Sequence, residues 1–509
     1  MTTLQLRDPQ LGTREPDYDE GGGRRPRWLW DGWGDAAERA GRRWLLLVFA
    51  LALIALLLTN PGRMTFDTKL GVDIDPVGFY QRLWHLWNPL EWQGSLQDQY
   101  IGYAFPMGLY YLVAHAIHLP VWVAERLWMS ILIAVGFWGL VRLAEALNLG
   151  SRPTRLLAGA AFALWPTYTI LVGSTSAALL PGVFATWATL PLVRYWSATV
   201  PLRSSISPKV AGRDYRPAPG IWSAAARSGF FVACMGGVNA ASTLAALVLP
   251  GLYILTRPSR AQDPAGTRRR WILLGAEIVA VLLATAWWLV PLLYQGRYGF
   301  NFLPYIEQAT NTTQTTSADA LLRGAGNWVA YLNFGVPWLT AGSVMVAYVW
   351  PVAAASVAAG TGLAGLARRD LPEAIWLRWT LLVTVLWGLT GYAGPLGAPL
   401  HTQVQSLLNG PLSALRNVYK IEPVLAAVLA LGIAHVLARG VWRRPAHGEL
   451  RGQAARALAV VITVAALVGL CLPFLNGQIL QPGSFKSVPT YWKQAAAFMA
   501  SHAQDQTTL

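Results

Sequence analysis

Long apolar runs recur along this 509-residue chain, and they constrain its fold more than any other feature. Runs of about 17–25 apolar residues have the length of a helix that crosses a bilayer. Only 13% of the residues are charged, about half the share of an ordinary soluble domain. We therefore predict an all-α polytopic membrane protein with about eleven spans, at residues 44–58, 122–142, 155–173, 176–195, 224–240, 241–257, 271–293, 344–366, 375–391, 422–438 and 457–474.

The distribution of Lys and Arg predicts how these spans are oriented. With eleven spans, 30 of the 40 basic residues lie in the N-terminal leader and in the loops on the same side. The positive-inside rule makes that side cytoplasmic, so the N-terminus is expected inside and the C-terminus outside a plasma membrane. Residues 103–119 approach the length of a span, but counting them as one would move 22 basic residues of short loops outside. We therefore predict an interfacial or re-entrant helix there.

The chain is expected to have three parts. Residues 1–43 form a polar, basic cytoplasmic leader, residues 44–474 the transmembrane domain, and residues 475–509 an exported segment with a helix near Thr490 to His502. The net charge of +15 falls on the cytoplasmic side, so no nucleic-acid partner is needed to explain it. The leader is suited to anionic lipid or to a cytoplasmic acidic protein, and the sequence leaves both open.

Several functional classes are excluded or left without support by missing motifs. The cytoplasmic loops contain no phosphate-binding Gly-rich motif, which makes an ATP-driven pump improbable. Both cysteines lie in apolar runs and the histidines lack ligand spacing, so we predict no metal site and no cofactor. The segments 61–121, 294–343 and 391–421 are long and aromatic, and loops of that length are usually functional or disordered. We expect them to form a cavity at the outer face.

The first outer loop contains the best candidate for acid–base chemistry. Asp67 lies just beyond the first span, with Lys69 two residues away, and an aspartate kept ionised in this way suits a general base. Asp75 precedes a proline and is more simply a helix N-cap. For Asp73 two interpretations stay open: it is a solvated loop acid, or it binds the sugar or the acceptor.

A second group of candidates leads into the tenth span. On a helix, Arg416 and Lys420 would share one face and could hold a phosphate at the lipid–water boundary, with Glu422 orienting them or binding a sugar hydroxyl. Interfacial anchoring of the two basic side chains is an equal alternative. Glu307, Tyr103 and Asn239 are further candidates for binding sugar. The alternatives are a solvated loop charge for Glu307, a residue of the aromatic belt at the interface for Tyr103, and a helix-packing position for Asn239.

The combination of these motifs resembles a known family. The motifs are Asp67-Thr68-Lys69, the aromatic stretch from Phe79 to Asn88, the run from Gln99 to Gly108, Gly237-Val238-Asn239-Ala240, and Arg416-Asn417-Val418-Tyr419-Lys420. From about residue 44 to its end, the chain resembles the membrane part of the actinobacterial α-(1→3)-arabinofuranosyltransferases that branch cell-wall arabinan. These are similar to other polyprenyl-phosphate-sugar transferases of the GT-C fold.

The resemblance implies a GT-C-like helical bundle, an activity and roles for several residues. The activity is inverting transfer of arabinofuranose from decaprenyl-phosphoryl-arabinose to an arabinan acceptor of arabinogalactan or lipoarabinomannan. Asp67 would be the catalytic acid of the first outer loop, and Lys69, Arg416 and Lys420 would lie near the donor phosphate.

The chain also departs from the family. Its members usually continue into exported domains, whereas this sequence stops at Leu509, so we expect either a truncated gene product or an incomplete sequence. Two alternatives therefore stay open, a lipid-linked-sugar transporter or flippase and a non-catalytic remnant that binds the donor.

Overall fold

The computed structural model describes residues 36–67, 69–89, 94–96, 100–199, 220–257, 264–441 and 450–502. The chain divides into two units, Met1–Trp44 and Leu45–Leu509. Only residues 36–44 of the first unit are described, as the beginning of a helix. The predicted cytoplasmic leader, and with it any acidic protein partner, therefore lies almost entirely outside the described residues.

The described residues are almost entirely helical. The helices are α1 (Ala36–Leu58), α2 (Gly71–Ile74), α3 (Pro76–Arg82), α4 (Leu109–Ala116), α5 (Val121–Ala146), α6 (Arg152–Ala163), α7 (Pro166–Val172), α8 (Leu180–Thr199), α9 (Ile221–Ala233), α10 (Ala240–Ala246), α11 (Val248–Leu255), α12 (Pro264–Tyr298), α13 (Ala309–Thr313), α14 (Ala318–Arg323), α15 (Thr340–Ala347), α16 (Val349–Ala367), α17 (Ala374–Leu389), α18 (His401–Asn409), α19 (Glu422–Val436), α20 (Leu450–Leu470), α21 (Leu472–Leu475) and α22 (Thr490–His502). One antiparallel pair, β1 (Trp87–Asn88) and β2 (Ser95–Leu96), was not predicted.

Shorter helical turns connect several of these elements. The 3₁₀ turns are Tyr100–Tyr103, Ser176–Leu179, Leu303–Tyr305, Trp328–Tyr331, Ser413–Leu415 and Val418–Ile421, and the π turns are Ala104–Gly108 and Leu437–Val441. Ser176–Leu179 leads into α8, Val418–Ile421 leads into α19, Leu437–Val441 follows α19 and Leu303–Tyr305 lies between α12 and α13, while the others lie between shorter elements.

Every predicted span falls on a helix or on a pair of consecutive helices. Among the described residues, six helices are long and apolar enough to cross a membrane, and a seventh crossing results if α6 and α7, bent by 50°, form one span. Three more predicted spans fall on shorter apolar helices at residues 240–255, 374–389 and 458–470, and the last falls on α9. The protein is thus an all-α polytopic membrane protein.

Residues 103–119 do not form a crossing helix. Their regular part is α4, whose eight residues rise only about 12 Å against the roughly 30 Å of a bilayer core. Phe105 has extended backbone angles and interrupts the helical path before α4. This segment agrees with the prediction that it does not span the membrane.

Contacts between loops sort the helix termini into two ends of the bundle. At one end, which we call the aspartate end, Met64 pairs with Phe485, Gly237 donates to the Gly102 carbonyl, and Thr312 donates to the Arg416 carbonyl. At the other, which we call the basic end, Arg257 pairs with Glu373, and His435 lies 3.3 Å from Asp370. The predicted order of eleven crossings stays a prediction, because the described residues contain six or seven helices long and apolar enough to cross a membrane.

Helix α19 occupies the centre of the bundle and depends on close backbone approach. Nearly all of its residues are buried, which is typical of a helix surrounded by other helices. Where α16 crosses it, a Cβ atom on Gly365 would overlap the Gly432 backbone, and one on Gly432 would overlap the Gly362 carbonyl. The lack of side chains at these positions lets the two helices meet backbone to backbone.

A larger residue at this crossing should destabilise the protein. We expect Gly365→Val to lower the thermal midpoint in detergent strongly, because overpacking costs roughly 1–3 kcal/mol even where neighbours can shift. Gly360→Val is the matched control, since Gly360 lies on the same helix and a Cβ atom there would meet no other atom within 4 Å. Equal midpoints for the two variants would contradict the crossing described above.

Candidate active site

Asp67 is buried at the aspartate end, next to the first turn before α8. Its side chain is 2% exposed. One carboxylate oxygen accepts the backbone N–H of Ser176 at 2.8 Å, and the Ser176 hydroxyl donates to the other. Trp128 donates its indole N–H to the same hydroxyl oxygen at 2.8 Å. The predicted base is therefore held by donors from a segment that is distant in the chain.

Glu125 and Arg126 lie at the start of α5, beneath the loop that carries Asp67. Both side chains are 0% exposed, and Arg126 donates to Glu125 at 2.8 Å. Glu125 also accepts the backbone N–H of Thr65 at 3.1 Å, and Arg126 donates to the Arg63 carbonyl at 3.0 Å. The sequence interpretation missed this pair. The available signal was an acid and a base side by side at the start of a long apolar run.

Asp73 is the third buried acid of this region. It lies on α2, is 5% exposed, and has no hydrogen-bond partner of good geometry among the described residues. Burial raises the pKa of Asp73 to about 7, and the nearby Asp67 carboxylate adds to the increase. Asp73 is therefore not the solvated loop acid that one interpretation of the sequence suggested.

Two other predictions for the first loop can be compared with the structure. Asp75 caps α3, because its carboxylate accepts the Gly78 N–H at 3.0 Å and Pro76 begins the helix. The N-cap interpretation is thereby confirmed. Lys69 places its ammonium group 5.0 Å from the centre of the Tyr100 ring. It is half-buried rather than extended into solvent.

A cavity of about 260 Å³ opens at the aspartate end, beside the segment that holds Asp67. Its wall includes Ser174 and Thr175, directly before Ser176. The polar lining also includes Thr167, Asn239, Ser242, Asn327, Tyr419, Lys420 and Gln481, and the remaining lining is mostly apolar. Mostly apolar walls with a few convergent polar groups are typical of sites for small molecules.

Lys420 is the one lysine or arginine among the described residues that line this cavity. It forms no hydrogen bond and no ion pair with any described residue. Asn239 contributes to the same wall while its side-chain oxygen caps α10 by accepting the Ser242 N–H at 3.0 Å. The structure thus brings together two of the predicted residues, from distant segments of the chain.

Arg416 occupies a different environment from Lys420. The predicted common helical face does not exist, because two 3₁₀ turns, Ser413–Leu415 and Val418–Ile421, replace a helix here. The Arg416 guanidinium is buried and donates to the carbonyls of Leu303 and Glu307. In this structure it holds that loop in place and does not line the cavity.

Three further candidates, Glu307, Glu422 and Tyr103, contact other protein groups. Glu307 accepts the side-chain N–H of Asn417 at 2.7 Å and lies 3.9 Å from Arg416. Glu422 is buried behind the cavity wall and accepts the Gly326 N–H at 2.6 Å. Tyr103 is buried against Phe79, which corrects the expectation that its ring offers a surface to a sugar.

The two Gly-containing motifs of the sequence contact each other. Gly237 donates its N–H to the Gly102 carbonyl at 2.9 Å, and a Cβ on Gly102 would overlap the Gly237 backbone. This contact joins the first outer loop to the bend that carries Asn239. Among the described residues, no three His, Cys, Asp or Glu side chains are grouped so that they could hold a metal ion.

The buried Asp73 should make stability depend on pH. Because its pKa is higher in the folded chain than in the unfolded one, the folded state binds an extra proton between about pH 4 and pH 7. The free energy of unfolding should therefore fall as pH rises through this window, by at most about 1.4 kcal/mol per pH unit.

Thermal midpoints between pH 5 and pH 8 test this dependence. Asp73→Asn should make the slope shallower by the contribution of one carboxyl group, because an amide does not titrate, whereas the exposed cap variant Asp75→Asn should keep the slope of the wild type. An unchanged slope in Asp73→Asn would assign the pH dependence to another group.

Comparison with known proteins places the chain in a family. Residues 51–509 match the model of the alpha-(1->3)-arabinofuranosyltransferase N-terminal GT-C domain. Curated alpha-(1->3)-arabinofuranosyltransferases from Mycolicibacterium smegmatis and Mycobacterium tuberculosis are 37% and 35% identical over 90% and 91% of this chain. The chain spans only about a third of their length, 31% and 32%.

A solved structure gives the same result. A cryo-EM structure of the arabinofuranosyltransferase AftD from mycobacteria superposes with a TM-score of 0.66 at 30% sequence identity, covering 91% of this chain and 29% of that one. With a family match over most of its length, this chain belongs to the alpha-(1->3)-arabinofuranosyltransferase family and carries its N-terminal GT-C domain.

Proposed function

We propose that this chain transfers arabinofuranose from decaprenyl-phosphoryl-arabinose to a hydroxyl of an arabinan acceptor, forming an α-(1→3) branch during synthesis of cell-wall arabinogalactan or lipoarabinomannan. The observation that carries the proposal is the cavity that Lys420 lines, beside the segment that binds Asp67. Such a transfer needs a cation whose N–H donors are available to a phosphate and an acid that can act as a base, and Lys420 and Asp67 are proposed for these roles.

Lys420 is proposed to bind the donor phosphate. Its ammonium group forms no hydrogen bond and no ion pair with a described residue, and the Glu307 carboxylate acts on it only as a nearby charge, so its N–H donors are available to a phosphate. As the bond from the sugar C1 to the phosphate oxygen breaks, negative charge grows on decaprenyl phosphate. A fixed positive charge stabilises that leaving group. Arg416 would act from behind, by holding the loop at residues 303–307.

Asp67 is proposed to act as the base. The acceptor oxygen forms a bond to the sugar C1, its proton passes to Asp67, and decaprenyl phosphate leaves from the opposite face, so the transfer inverts C1. Asp67 does not line the cavity directly, but Ser176 donates to it and follows two cavity residues, Ser174 and Thr175. The proposal therefore requires the buried Ser176 hydroxyl, which donates to Asp67 and accepts from Trp128, to pass the proton from the acceptor to Asp67.

The location of the cavity favours a transferase over a transporter. A flippase needs a polar path through the middle of the bundle. The cavity residues belong instead to the helix ends and loops at the aspartate end. We place that end on the outer face of the plasma membrane, because the loops of the basic end contain most of the Lys and Arg of the chain.

The assigned base gives the first test of this proposal. We expect Asp67→Asn to lower transfer of labelled arabinose from synthetic donor to a short arabinan by at least about a hundredfold, the usual contribution of general base catalysis. Asp75→Asn makes the same chemical change in the same loop and should retain the wild-type rate. Near-normal turnover by Asp67→Asn would contradict the role given to Asp67.

The assigned phosphate ligand gives the second test. Lys420→Met should lower kcat/KM for the donor by about a hundredfold, because a charge that stabilises the leaving group is lost. Lys486→Met is the control, since Lys486 is exposed and does not line the cavity. Equal loss in the two variants would show that the effect is not local to the cavity.

A further inference from the structure

The first outer loop is fixed by side chains that come from α5. Glu125 accepts the Thr65 N–H through both carboxylate oxygens, at 3.1 and 3.2 Å. Arg126 binds Glu125 at 2.8 Å and also donates to the Arg63 carbonyl at 3.0 Å. The α5 pair, Glu125 with Arg126, therefore holds the backbone at two positions, two and four residues before Asp67.

The other edge of this loop segment is held by the C-terminal part of the chain. The Met64 N–H donates to the Phe485 carbonyl at 2.7 Å, and the Phe485 N–H donates back at 3.0 Å. Residues 63–65 are thus bonded from two sides, and only Phe66 separates them from Asp67. With Ser176 bound to its carboxylate, Asp67 has little freedom to change its place.

The burial of the α5 pair indicates that it has a role other than stability. Both side chains are fully buried. A buried ion pair often contributes no more to stability than apolar side chains of similar size, because its desolvation offsets the attraction. Outside the pair, its hydrogen bonds to the backbone go to Arg63 and Thr65, and Glu125 also interacts with the neighbouring Asp73 carboxyl group. The pair thus acts on the position of that segment.

We infer that Glu125 and Arg126 are positioning residues that set the place of Asp67 beside the donor cavity. This inference rests on the proposed function, in which Asp67 is the base. Neither residue touches the cavity, so the pair acts through the backbone of residues 63–65 and not on the sugar itself. Misplacing a catalytic group by about 1 Å can cost about a hundredfold in rate.

The test replaces the pair without leaving an unpaired charge. We expect Glu125→Leu combined with Arg126→Met to fold, and to lower kcat by about 10- to 100-fold while KM for the donor changes by less than about twofold. The matched control is Glu145→Leu combined with Arg142→Met, which removes an ion pair of 2.9 Å from the other end of the same helix. An unchanged kcat in the first double variant would overturn the inference.

Hydrogen exchange gives a readout that does not depend on activity. If the pair positions Asp67, the amide of Ser176, which bonds to the Asp67 carboxylate, should exchange faster in the Glu125→Leu/Arg126→Met variant than in the wild type and the control. Unchanged exchange in peptides covering residues 174–178 would overturn the inference. Should this double variant not accumulate, Arg126→Lys serves instead, since a lysine keeps the charge but cannot bond Glu125 and the Arg63 carbonyl in the same forked geometry.

The two measurements separate the inference from the proposal on which it rests. A wild type that shows no transfer would remove the proposed function, and faster exchange at Ser176 would still show that the pair positions Asp67. Active wild type with normal exchange and normal kcat in the double variant would leave the proposed function intact and remove the positioning role.

Discussion

The extended segment at residues 63–67 must satisfy its backbone polar groups at the edge of a helical bundle. It belongs to no helix and has only one bridge partner among the described residues, so its N–H and carbonyl groups need side chains and a distant strand-like segment to bond with. Glu125, Arg126 and Phe485 supply those bonds. The place of Asp67, and with it the geometry proposed for the reaction, depends on this arrangement.

Close packing of small residues brings the rest of the site together. The backbone contact between α16 and α19 fixes the central helix, at whose start Lys420 and Glu422 lie. Gly102 and Gly237 permit a second contact, which joins the first outer loop to the bend with Asn239. The walls of the cavity therefore come from several separate parts of the chain. The glycine contacts that hold these parts together depend on the absence of a side chain at each glycine.

Apolar runs were sufficient to locate the long helices, since that signal depends on burial in lipid. The sorting of the loops by their basic residues stays a prediction. The predicted span lengths were less accurate, because a helix surrounded by other helices, such as α9, can be shorter than the bilayer core.

The site was predicted only in part. Pairing in three dimensions could not be read from the chain, so the bonds of Arg416 to backbone carbonyls and of Glu307 to Asn417 were not foreseen, and the ligand roles assigned to both residues stay predictions. Glu125 and Ser176 were missed because they are far from Asp67 in sequence and resemble ordinary helix starts.

The central claim is that the cavity with Lys420 binds the phosphate of a polyprenyl donor. The most direct test is a cryo-EM structure of this chain with decaprenyl phosphate bound. We predict phosphate density about 3 Å from the Lys420 ammonium group, the distance of a charge-assisted hydrogen bond, with a free phosphate oxygen, to which the sugar is attached in the donor, directed toward Ser174 and Thr175. Phosphate density at another place, with this cavity occupied by neither the phosphate nor the lipid, would contradict the account.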